Sequence, residues 1–431
     1  MSGWKINRRQ FTRAISLAGA GTVFKQFGFA AQEGNPLPAS IEMSLIDEHA
    51  TPYATFQSHN QKVVSNRRGI FATYLKSRNQ AYTAQEWRLV TSSDDGKTFA
   101  ALFSEVAASS APALETDLED NLYLARPDFV DGHAYLYRFR AANDYREPLI
   151  TRIPGGSAGK YALANDLHRG QLYYFAHNNT FHVIGFDGIV RSSRTLLQPG
   201  KNAALQYPHL CLAADHTLYA AWTTQAHGRY LYWDIHVMRS PDGGDTWETL
   251  DGTKLPIPVI GDDSGPTDRI TLDDEFEVHT WLSNFLAHGD KLHLLYLAQF
   301  DSPRMHYVRY DLRRGRKDVD IQPEFKGETL SLRGLDGFFA ARAAESSLYC
   351  VVQDAGDNRL ACLHSADNGG TWQDHAVGAV VASPYAIGGC RELTADGSIV
   401  GTFTDQSSAS NAPRGQSKVY FFTIGSLEPP S

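Results

Sequence analysis

Seven segments of the chain share one pattern of polar and hydrophobic positions: a polar turn, then a short strand in which Leu, Tyr and other apolar residues alternate with the rest. They begin at Asn66, Glu119, His168, Ala214, His288, Ala344 and Ala395. The intervals between them are 53, 49, 46, 74, 56 and 51 residues, and all but the interval of 74 are close to the length of one four-stranded propeller blade. The long interval holds an insertion at 251–276 that is rich in Asp, Gly and Pro. Because helical periodicity is nearly absent after residue 30, we expect an all-β fold: a seven-bladed β-propeller, with six blades as the alternative, in a single domain over 35–428.

Three further segments share a tighter motif: SSDDGKTF from Ser92, SPDGGDTW from Ser240 and SADNGGTW from Ser365. Each has Ser, Asp, Gly, Thr and an aromatic residue at the same five positions. The chemistry fits a hairpin turn, since Asp accepts backbone N–H groups, Gly adopts a positive φ and the aromatic ring anchors the turn. The motif resembles the Asp box, or BNR repeat, of sialidase-like propellers, and we expect it to be structural rather than catalytic.

Composition excludes several classes of protein. Of the 431 residues, 42% are hydrophobic and 11% aromatic, which excludes a disordered chain. No run of 18 apolar residues occurs, so we expect no membrane-spanning helix. The net charge is −8, and it is −13 without residues 1–30, which carry five basic residues and no acid. Such an acidic chain would repel nucleic acid, although a local basic pocket for a polyanion remains compatible with it.

The first thirty residues have the layout of an export signal: a charged start, a short apolar stretch and small residues before a cleavage site. Arg8 and Arg9, with Phe11 two positions on, resemble the twin-arginine signal. We expect cleavage after Ala30, the twin-arginine export machinery as a partner, and a periplasmic or secreted protein. Twin-arginine substrates cross the membrane already folded, so the four Cys residues need not form a disulfide framework. They lack zinc-ligand spacing, so we expect no cysteine metal site.

Candidate site residues come from the segment before each polar turn, which we expect to be the innermost strand of its blade. These segments bring His, Tyr and Lys side chains to one mouth of the central channel, with aromatic rings beside them, as is typical of carbohydrate sites. The catalytic candidates among them are His59, Lys160, Tyr207 and His209. The substrate-binding candidates are Asn60, Tyr161, His279, Trp281 and Tyr385. The alternative for any one histidine is an ordinary core or surface role.

A second constellation lies in the segment from Arg229 to Ser240. Strand alternation predicts that Tyr230, Tyr232, Asp234 and His236 share one face. We expect Asp234 to orient the ring of His236, a further catalytic candidate, with Tyr232 and Asp234 as substrate-binding residues. The alternative is that this face packs between blades.

The loop from Gly261 to Ile270 follows this segment and is the one place where the sequence suggests an ion. The acidic residues of this loop suggest a structural calcium ion, although they lack the spacing of an EF-hand. Arg269 in this loop is a cation that we expect to reach the mouth. We expect no other cofactor or metal.

The middle of the chain, about 200–260, resembles the branch of BNR-repeat proteins that contains the ulvan lyases and related propeller polysaccharide lyases. The resemblance rests on QYPHLCLAADHTLYAAWTT and DIHVMRSPDGGDTWETLDGTKLPIPV. It implies cleavage of uronic-acid polysaccharides by β-elimination, with His and Tyr as base and acid and a cation on the carboxylate. The Tyr-Pro pair of that family matches Tyr207 and Pro208. The ulvan lyases carry the neutralising Arg in the next strand, where this chain has Ala221-Trp222-Thr223-Thr224.

The resemblance, with that departure, assigns a role to each candidate. We expect Lys160 or Arg269 to be the cation, His209 or His59 the base, Tyr207 the acid and an anionic poly- or oligosaccharide the substrate.

Two other functions stay open. A sialidase-like exo-glycosidase requires three arginines, a Tyr–Glu nucleophile pair and an Asp acid. Sialidases also place Arg-Ile-Pro before their first Asp box, whereas here Arg152-Ile153-Pro154 follows it. A non-catalytic glycan-binding propeller is the third hypothesis, and it is compatible with the missing Arg.

Overall fold

The polar turns of the sequence repeat separate the first and second strands of successive antiparallel sheets. The structure is a computed structural model that describes residues 39–81, 84–106, 110–325, 327–329, 336–343, 345–354, 359–380, 384–406 and 415–427. Residues 1–30, with the expected export signal, lie outside the described residues.

The first half of the described chain forms three of these sheets. Strand β1 (Ala39–Ala50) comes first in the chain but belongs to the last sheet. Sheet 1 consists of β2 (Val63–Asn66), β3 (Gly69–Ser77), β4 (Gln85–Ser92) and β5 (Ala100–Val106). Sheet 2 consists of β6 (Ala113–Thr116), β7 (Leu122–Asp128), β8 (His133–Phe139) and β9 (Leu149–Ile153). Sheet 3 consists of β10 (Tyr161–Asp166), β11 (Gln171–Ala176), β12 (Thr180–Gly185) and β13 (Val190–Thr195).

Sheet 4 carries the predicted insertion. The short strand β14 (Leu197–Gln198) precedes it. The sheet consists of β15 (Ala203–Leu212), β16 (Leu218–Ala226), β17 (Tyr232–Ser240), β18 (Trp247–Glu248) and β19 (Lys254–Leu255). In the insertion, β20 (Val259–Ile260) pairs with β14, and β21 (Asp268–Arg269) pairs with β17. The outer edge of β17 is therefore covered by two separate pieces of chain.

The remaining strands form three more sheets. Sheet 5 consists of β22 (His279–His288), β23 (Lys291–Gln299), β24 (Arg304–Asp311) and β25 (Arg316–Ile321). The short strands β26 (Glu324–Phe325) and β27 (Glu328–Thr329) follow as a pair. Sheet 6 consists of β28 (Phe338–Ala341), β29 (Leu348–Asp354), β30 (Arg359–Ser365) and β31 (Gln373–Val380). Sheet 7 consists of β32 (Pro384–Gly389), β33 (Ser398–Asp405), β34 (Ser417–Gly425) and β1.

Helical structure in the described part of the chain is limited to two 3₁₀ turns, Ala141–Asn143 and Asp273–Glu275. Within the same residues, no helix combines the length and hydrophobicity needed to cross a membrane.

Burial falls from the inner to the outer strands of each sheet. In β16 every side chain except Gln225 is buried, because a neighbouring sheet packs on each face. The outer strands β13 and β25 alternate between partly buried and exposed residues, as expected for a strand with one face in solvent. The second strands therefore have the most continuous apolar sequence, and this is the repeat that is visible along the chain.

The hydrophobic core lies between consecutive sheets rather than within one layer. Separate clusters of buried residues join sheets 2 and 3, 3 and 4, 4 and 5, 5 and 6, and 6 and 7, and another joins sheet 1 to sheets 2 and 7. Contacts between first strands run from β2 through β6, β10, β15, β22, β28 and β32, and return to β2. This arrangement is a β-propeller, and the expected all-β propeller fold is confirmed. The blade count of seven stays a prediction, which the seven four-stranded groups of the described residues support.

The two ends of the domain meet in sheet 7. Strand β1 pairs antiparallel with β34, with Glu42 opposite Thr423 and Ala50 opposite Ser417. A strand from the start of the domain thus completes a sheet built from its end, which leaves no unpaired edge on β34.

The three motif turns share one set of hydrogen bonds. In the turn from Ser92, the serine Oγ accepts the N–H of Gly96 at 2.9 Å, and Asp94 accepts the N–H of Thr98 at 2.9 Å and its hydroxyl at 2.6 Å. The turns from Ser240 and Ser365 repeat these bonds. The bonds from Thr98 lower the pKa of Asp94 to about 2, so the carboxylate stays charged at neutral pH.

Each motif turn is also fixed to the preceding sheet. The glycine of the motif has a positive φ, and a Cβ atom there would collide with an aromatic side chain of the third strand next door. The aromatic residue of the motif packs on the same ring. The three pairs are Phe99 with Phe421 at 5.3 Å, Trp247 with Phe181 at 5.5 Å, and Trp372 with Tyr307 at 5.0 Å between ring centroids. The motif therefore joins neighbouring sheets, in agreement with the structural role expected for it.

Candidate functional site

The beginnings of the first strands meet at one end of the central channel, which we call the mouth. Lys160, just before β10, reaches Gln206 and Tyr207 in the first half of β15 and Tyr232 at the start of β17. Trp281 of β22 lies 4.8 Å from Tyr232 and 5.8 Å from Tyr207 between ring centroids. We call these five residues the mouth cluster. Three of its members, Lys160, Tyr207 and Trp281, were predicted from their position before a polar turn, and Tyr232 from the second constellation.

A bulge directs Tyr207 into this cluster. The pairing of β15 with β16 skips Tyr207, because Gln206 lies opposite Thr223 and Pro208 opposite Trp222. Tyr207 has a φ of 40°, a left-handed conformation that is uncommon for a tyrosine. Bulges re-aim side chains and occur often beside functional sites. Strands β22 and β32 also carry irregularities near their starts.

The ammonium group of Lys160 lies among neutral groups. Its Nζ donates to Gln206 Oε1 and, at 3.3 Å, to the hydroxyl of Tyr232, and it lies 4.2 Å from the ring centroid of Tyr207. Burial lowers the pKa of Lys160 to about 8, which leaves the side chain mostly charged at neutral pH. Burial also raises the pKa of Tyr232 to about 12, so this phenol keeps its proton. The mouth therefore offers a cation and a proton donor side by side.

His279 extends the cluster as a neutral hydrogen-bond donor. The backbone N–H of Tyr232 donates to His279 Nδ1 at 3.1 Å, so Nδ1 carries the lone pair and Nε2 carries the proton of the neutral ring. Burial also lowers the pKa of His279 below its ordinary value, which favours the neutral ring. Tyr230, which is 73% exposed, packs against His279 and Tyr232 at 5.7 and 5.2 Å. His279 is thus suited to bind an oxygen atom of a substrate rather than to accept a proton.

His59 and His209 pack against each other in the same part of the channel, with ring centroids 4.1 Å apart and the rings tilted by 33°. His209 Nδ1 donates to the carbonyl of Tyr207 at 2.9 Å, and His59 Nε2 donates to the carbonyl of Tyr161 at 3.2 Å. Burial lowers the pKa of His209 to about 4. Burial, with the neighbouring His209 and Lys62, lowers the pKa of His59 well below its usual range. Both rings are neutral bases. Their remaining nitrogens are buried and find no hydrogen-bond partner among the described residues.

A second aromatic group borders the cluster on the side of sheet 7. Tyr385 of β32 stacks on Phe56 at 6.4 Å and meets Tyr53 at 5.6 Å. Phe56 in turn packs against Tyr207 and Tyr232. Tyr385 therefore lies at the mouth, as predicted, and the exposed ring of Tyr53 extends the aromatic surface outward.

Two predicted binding residues lie in the interior instead. Asn60 is buried, and its amide joins sheet 3 by donating to the carbonyl of Tyr161 and accepting the N–H of Leu163. Tyr161 has no exposed surface, and its hydroxyl contacts the carbonyls of Ala111 and Ala125. The expectation that these two side chains line the mouth is wrong, because Asn60 bonds to the inner strand of sheet 3 and Tyr161 turns towards sheet 2.

The predicted common face of β17 is also wrong. Thr223 lies opposite Ile235 and Thr224 opposite Trp233, so Asp234, with a φ of 60°, is an extra residue that breaks the alternation. Tyr232 and His236 therefore lie on opposite faces. His236 does bind Asp234 at 3.0 Å, as expected, but both side chains are buried, and His236 stacks on Trp222 at 6.0 Å. This pair lies within sheet 4, where Thr267 and Thr271 of the insertion bind it, and it does not reach the mouth.

The insertion of sheet 4 uses its charged groups for its own structure. Arg269 binds Asp273 and lies 4.9 Å from the ring centroid of Phe276, so its contacts are not with the mouth cluster as expected. The carboxylate of Asp262 accepts the N–H groups of Asn202 and Ala203 at 2.7 and 2.8 Å. In the described residues no group of three or more His, Cys, Asp and Glu side chains is arranged to hold a metal ion.

A cavity of about 680 Å³ opens at the other end of the first strands. Arg391 there pairs with Glu115, which also accepts the amide of Gln61 at 2.9 Å. Burial raises the pKa of Glu115 to about 7, in spite of Arg391. Asp117 and Glu392 also line the cavity, which gives this end a more acidic lining than the mouth.

Sequence reasoning missed several residues of the mouth. Gln206 precedes the predicted Tyr207 by one position, and Phe56 and Tyr53 precede His59 in the same loop. Extending the candidate segment by six residues upstream of His59 includes Phe56 and Tyr53. No local pattern indicates that Gln206 contacts Lys160, because the two residues lie in different sheets.

Comparison with known proteins supports the propeller architecture. The fold is similar to an ulvan lyase of polysaccharide lyase family 25, with a TM-score of 0.62 and 12% identity over 87% of this chain and 94% of that chain. A structure of a family 25 ulvan lyase bound to -[GlcA(1-4)Rha3S]- matches with a TM-score of 0.62 and 11% identity, over the same shares of both chains. The polysaccharide lyase Uly1 matches with a TM-score of 0.59 and 10% identity, over 90% and 99% of the two chains. No protein-family model matches this chain, and no curated protein matches it. At these identities the likeness establishes the fold.

Proposed function

We propose that this protein is an exported carbohydrate-active enzyme that binds acidic polysaccharides at the mouth and cleaves them as a polysaccharide lyase. The observation that carries the proposal is the position of Lys160: a cation among neutral groups, in hydrogen-bond contact with the phenol of Tyr232 and surrounded by aromatic rings. Aromatic rings bind sugar faces, and a cation recognises a uronate carboxylate. The similarity of fold to ulvan lyases supports the same substrate class.

β-Elimination requires three groups around the uronate. Lys160 stabilises the negative charge that develops on the carboxylate when the neighbouring carbon loses its proton. Tyr232 is protonated before the reaction and donates its proton to the oxygen that leaves. Because Tyr232 touches Lys160 directly, we assign the role of acid to it in preference to Tyr207, whose ring lies under the ammonium.

The base is the least exposed of the three groups. His209 and His59 are neutral and have an unpartnered nitrogen, but these nitrogens are buried. Proton abstraction therefore requires a side-chain movement when the substrate binds. This burial favours a second candidate function, in which the propeller binds acidic glycans without cutting them.

Arg229 and Arg269 offer less support for a sialidase than Lys160 offers for a lyase, because both arginines are already paired. Arg229 is bound to Glu277 at 2.7 and 3.0 Å, and Arg269 is bound to Asp273. Lys160 thus remains the cation of the mouth cluster.

The test is a time course of ultraviolet absorbance with ulvan, glucuronan and other uronic-acid polymers. A lyase produces an unsaturated uronate, so we expect absorbance to rise with at least one polymer and to stay flat with the Lys160→Met variant. Binding without a rise in absorbance would replace the lyase with the glycan-binding function. Absence of both binding and product on every polymer would contradict the proposal.

A further inference from the structure

Lys160 differs from three other partly buried lysines in the kind of group that holds it. These three are paired with carboxylates: Lys76 with Asp47 at 2.6 Å, Lys291 with Asp311 at 2.9 Å, and Lys317 with Asp320 at 2.8 Å. Lys160 is held instead by the amide oxygen of Gln206, and within the described residues it forms no ion pair. A carboxylate at this position would be the ordinary way to stabilise a buried ammonium group.

The neutral partner leaves both the charge and a donor of Lys160 available. An ammonium group has three N–H donors. Gln206 Oε1 accepts one and the hydroxyl of Tyr232 accepts a second at 3.3 Å. The third donor, with the uncompensated charge, remains for a substrate.

We propose that Gln206 is a positioning residue that makes the mouth selective for acidic over neutral sugars, because its neutral amide oxygen orients the Lys160 ammonium without neutralising it. The inference rests on the proposed function and adds a determinant of its substrate specificity. A glutamate at this position would form an ion pair with Lys160, and a substrate carboxylate would then meet a neutral pair with an added negative charge beside it.

The experiment compares Gln206→Glu with a matched control, Gln299→Glu. Gln299 also lies at the mouth, where its amide oxygen accepts the indole N–H of Trp281 at 3.1 Å, and it does not contact Lys160. Both variants change the net charge equally. Calorimetric titration of the full chain uses two probes that differ only in the carboxylate: a glucuronan tetrasaccharide and the neutral cellotetraose.

We expect Gln206→Glu to weaken binding of the glucuronan probe by at least about tenfold and to change binding of cellotetraose by less than about threefold. For Gln299→Glu we expect a change of less than about threefold with either probe, since an exposed charge further away acts mainly through screened solvent. Retained binding of cellotetraose shows that the variant is folded. Gln206→Ala, which removes the oxygen without adding charge, should keep a preference for the acidic probe with a smaller loss of affinity.

Equal losses in Gln206→Glu and Gln299→Glu would overturn the inference, since net charge alone would then explain selectivity, while the proposed function would stand. A preference for the acidic probe that is as large in Gln206→Glu as in the wild-type protein would overturn it as well. Wild-type protein that binds neither probe nor any uronic-acid polymer would contradict the proposed function itself.

Discussion

The charge of Lys160 predicts how binding of an acidic glycan depends on pH. Its pKa is about 8, and a lysine is charged below its pKa and loses that charge as the pH rises through it. The charged fraction therefore falls from about nine tenths near pH 7 to about one tenth near pH 9. Uronate carboxylates remain ionised over this range, so the affinity for a glucuronan oligosaccharide should fall about tenfold between these two pH values. Calorimetric titration of the wild-type protein in matched buffers measures this change.

The Lys160→Arg variant is the control for this prediction. Arginine stays charged at both pH values, so the variant should bind with nearly equal affinity at both, whatever its absolute affinity. Lys160→Met should bind weakly and without the pH dependence. A tenfold loss that persists in Lys160→Arg, or a wild-type affinity that stays constant over this range, would show that another group controls binding.

Three further predictions concern stability and export. Burial lowers the pKa of Lys62 to about 7, so above this pH the folded protein has released a proton that the unfolded chain still holds. Relative to Lys62→Met, the unfolding free energy of the wild-type protein should therefore rise by about 2–3 kcal/mol from about pH 6.5 to about pH 9, as measured by urea unfolding. Parallel pH profiles of the two proteins would contradict this assignment. Asp242→Ala should lose about 1–2 kcal/mol of unfolding free energy, because Asp242 accepts two hydrogen bonds from Thr246. The variant should bind acidic glycan as tightly as the wild-type protein, and weakened binding would give this turn a role at the mouth. Replacing Arg8 and Arg9 by Lys should leave the precursor in the cytoplasm in a fractionation experiment, and normal export would exclude the twin-arginine pathway.

The positions of the first strands were predictable from the sequence because the neighbouring second strands are buried on both faces. That burial makes segments such as the one from Ala214 nearly continuous in apolar residues, and it makes the polar turn before each one conspicuous. Counting back from the turn locates Lys160, Tyr207 and Trp281 at the mouth. The physical basis is the regular geometry of a four-stranded sheet, which places the first strand at a fixed distance in sequence from the second.

Side-chain directions were not predictable wherever a bulge intervenes. One extra residue at Asp234 places His236 on the opposite face from Tyr232, and one at Tyr207 turns its ring into the mouth. Period-two alternation contains no information about such a residue. The contact of Lys160 with Gln206 was equally hidden, because it depends on how two sheets pack.

Binding of acidic glycans at the mouth, on Lys160, is tested by a crystal structure of the protein with a glucuronate oligosaccharide bound. We expect a sugar carboxylate at hydrogen-bond distance from the Nζ atom of Lys160, with sugar rings against Tyr207, Tyr232 or Trp281. An oligosaccharide bound instead in the cavity at the other end of the channel, with its carboxylate on Arg391, would contradict it.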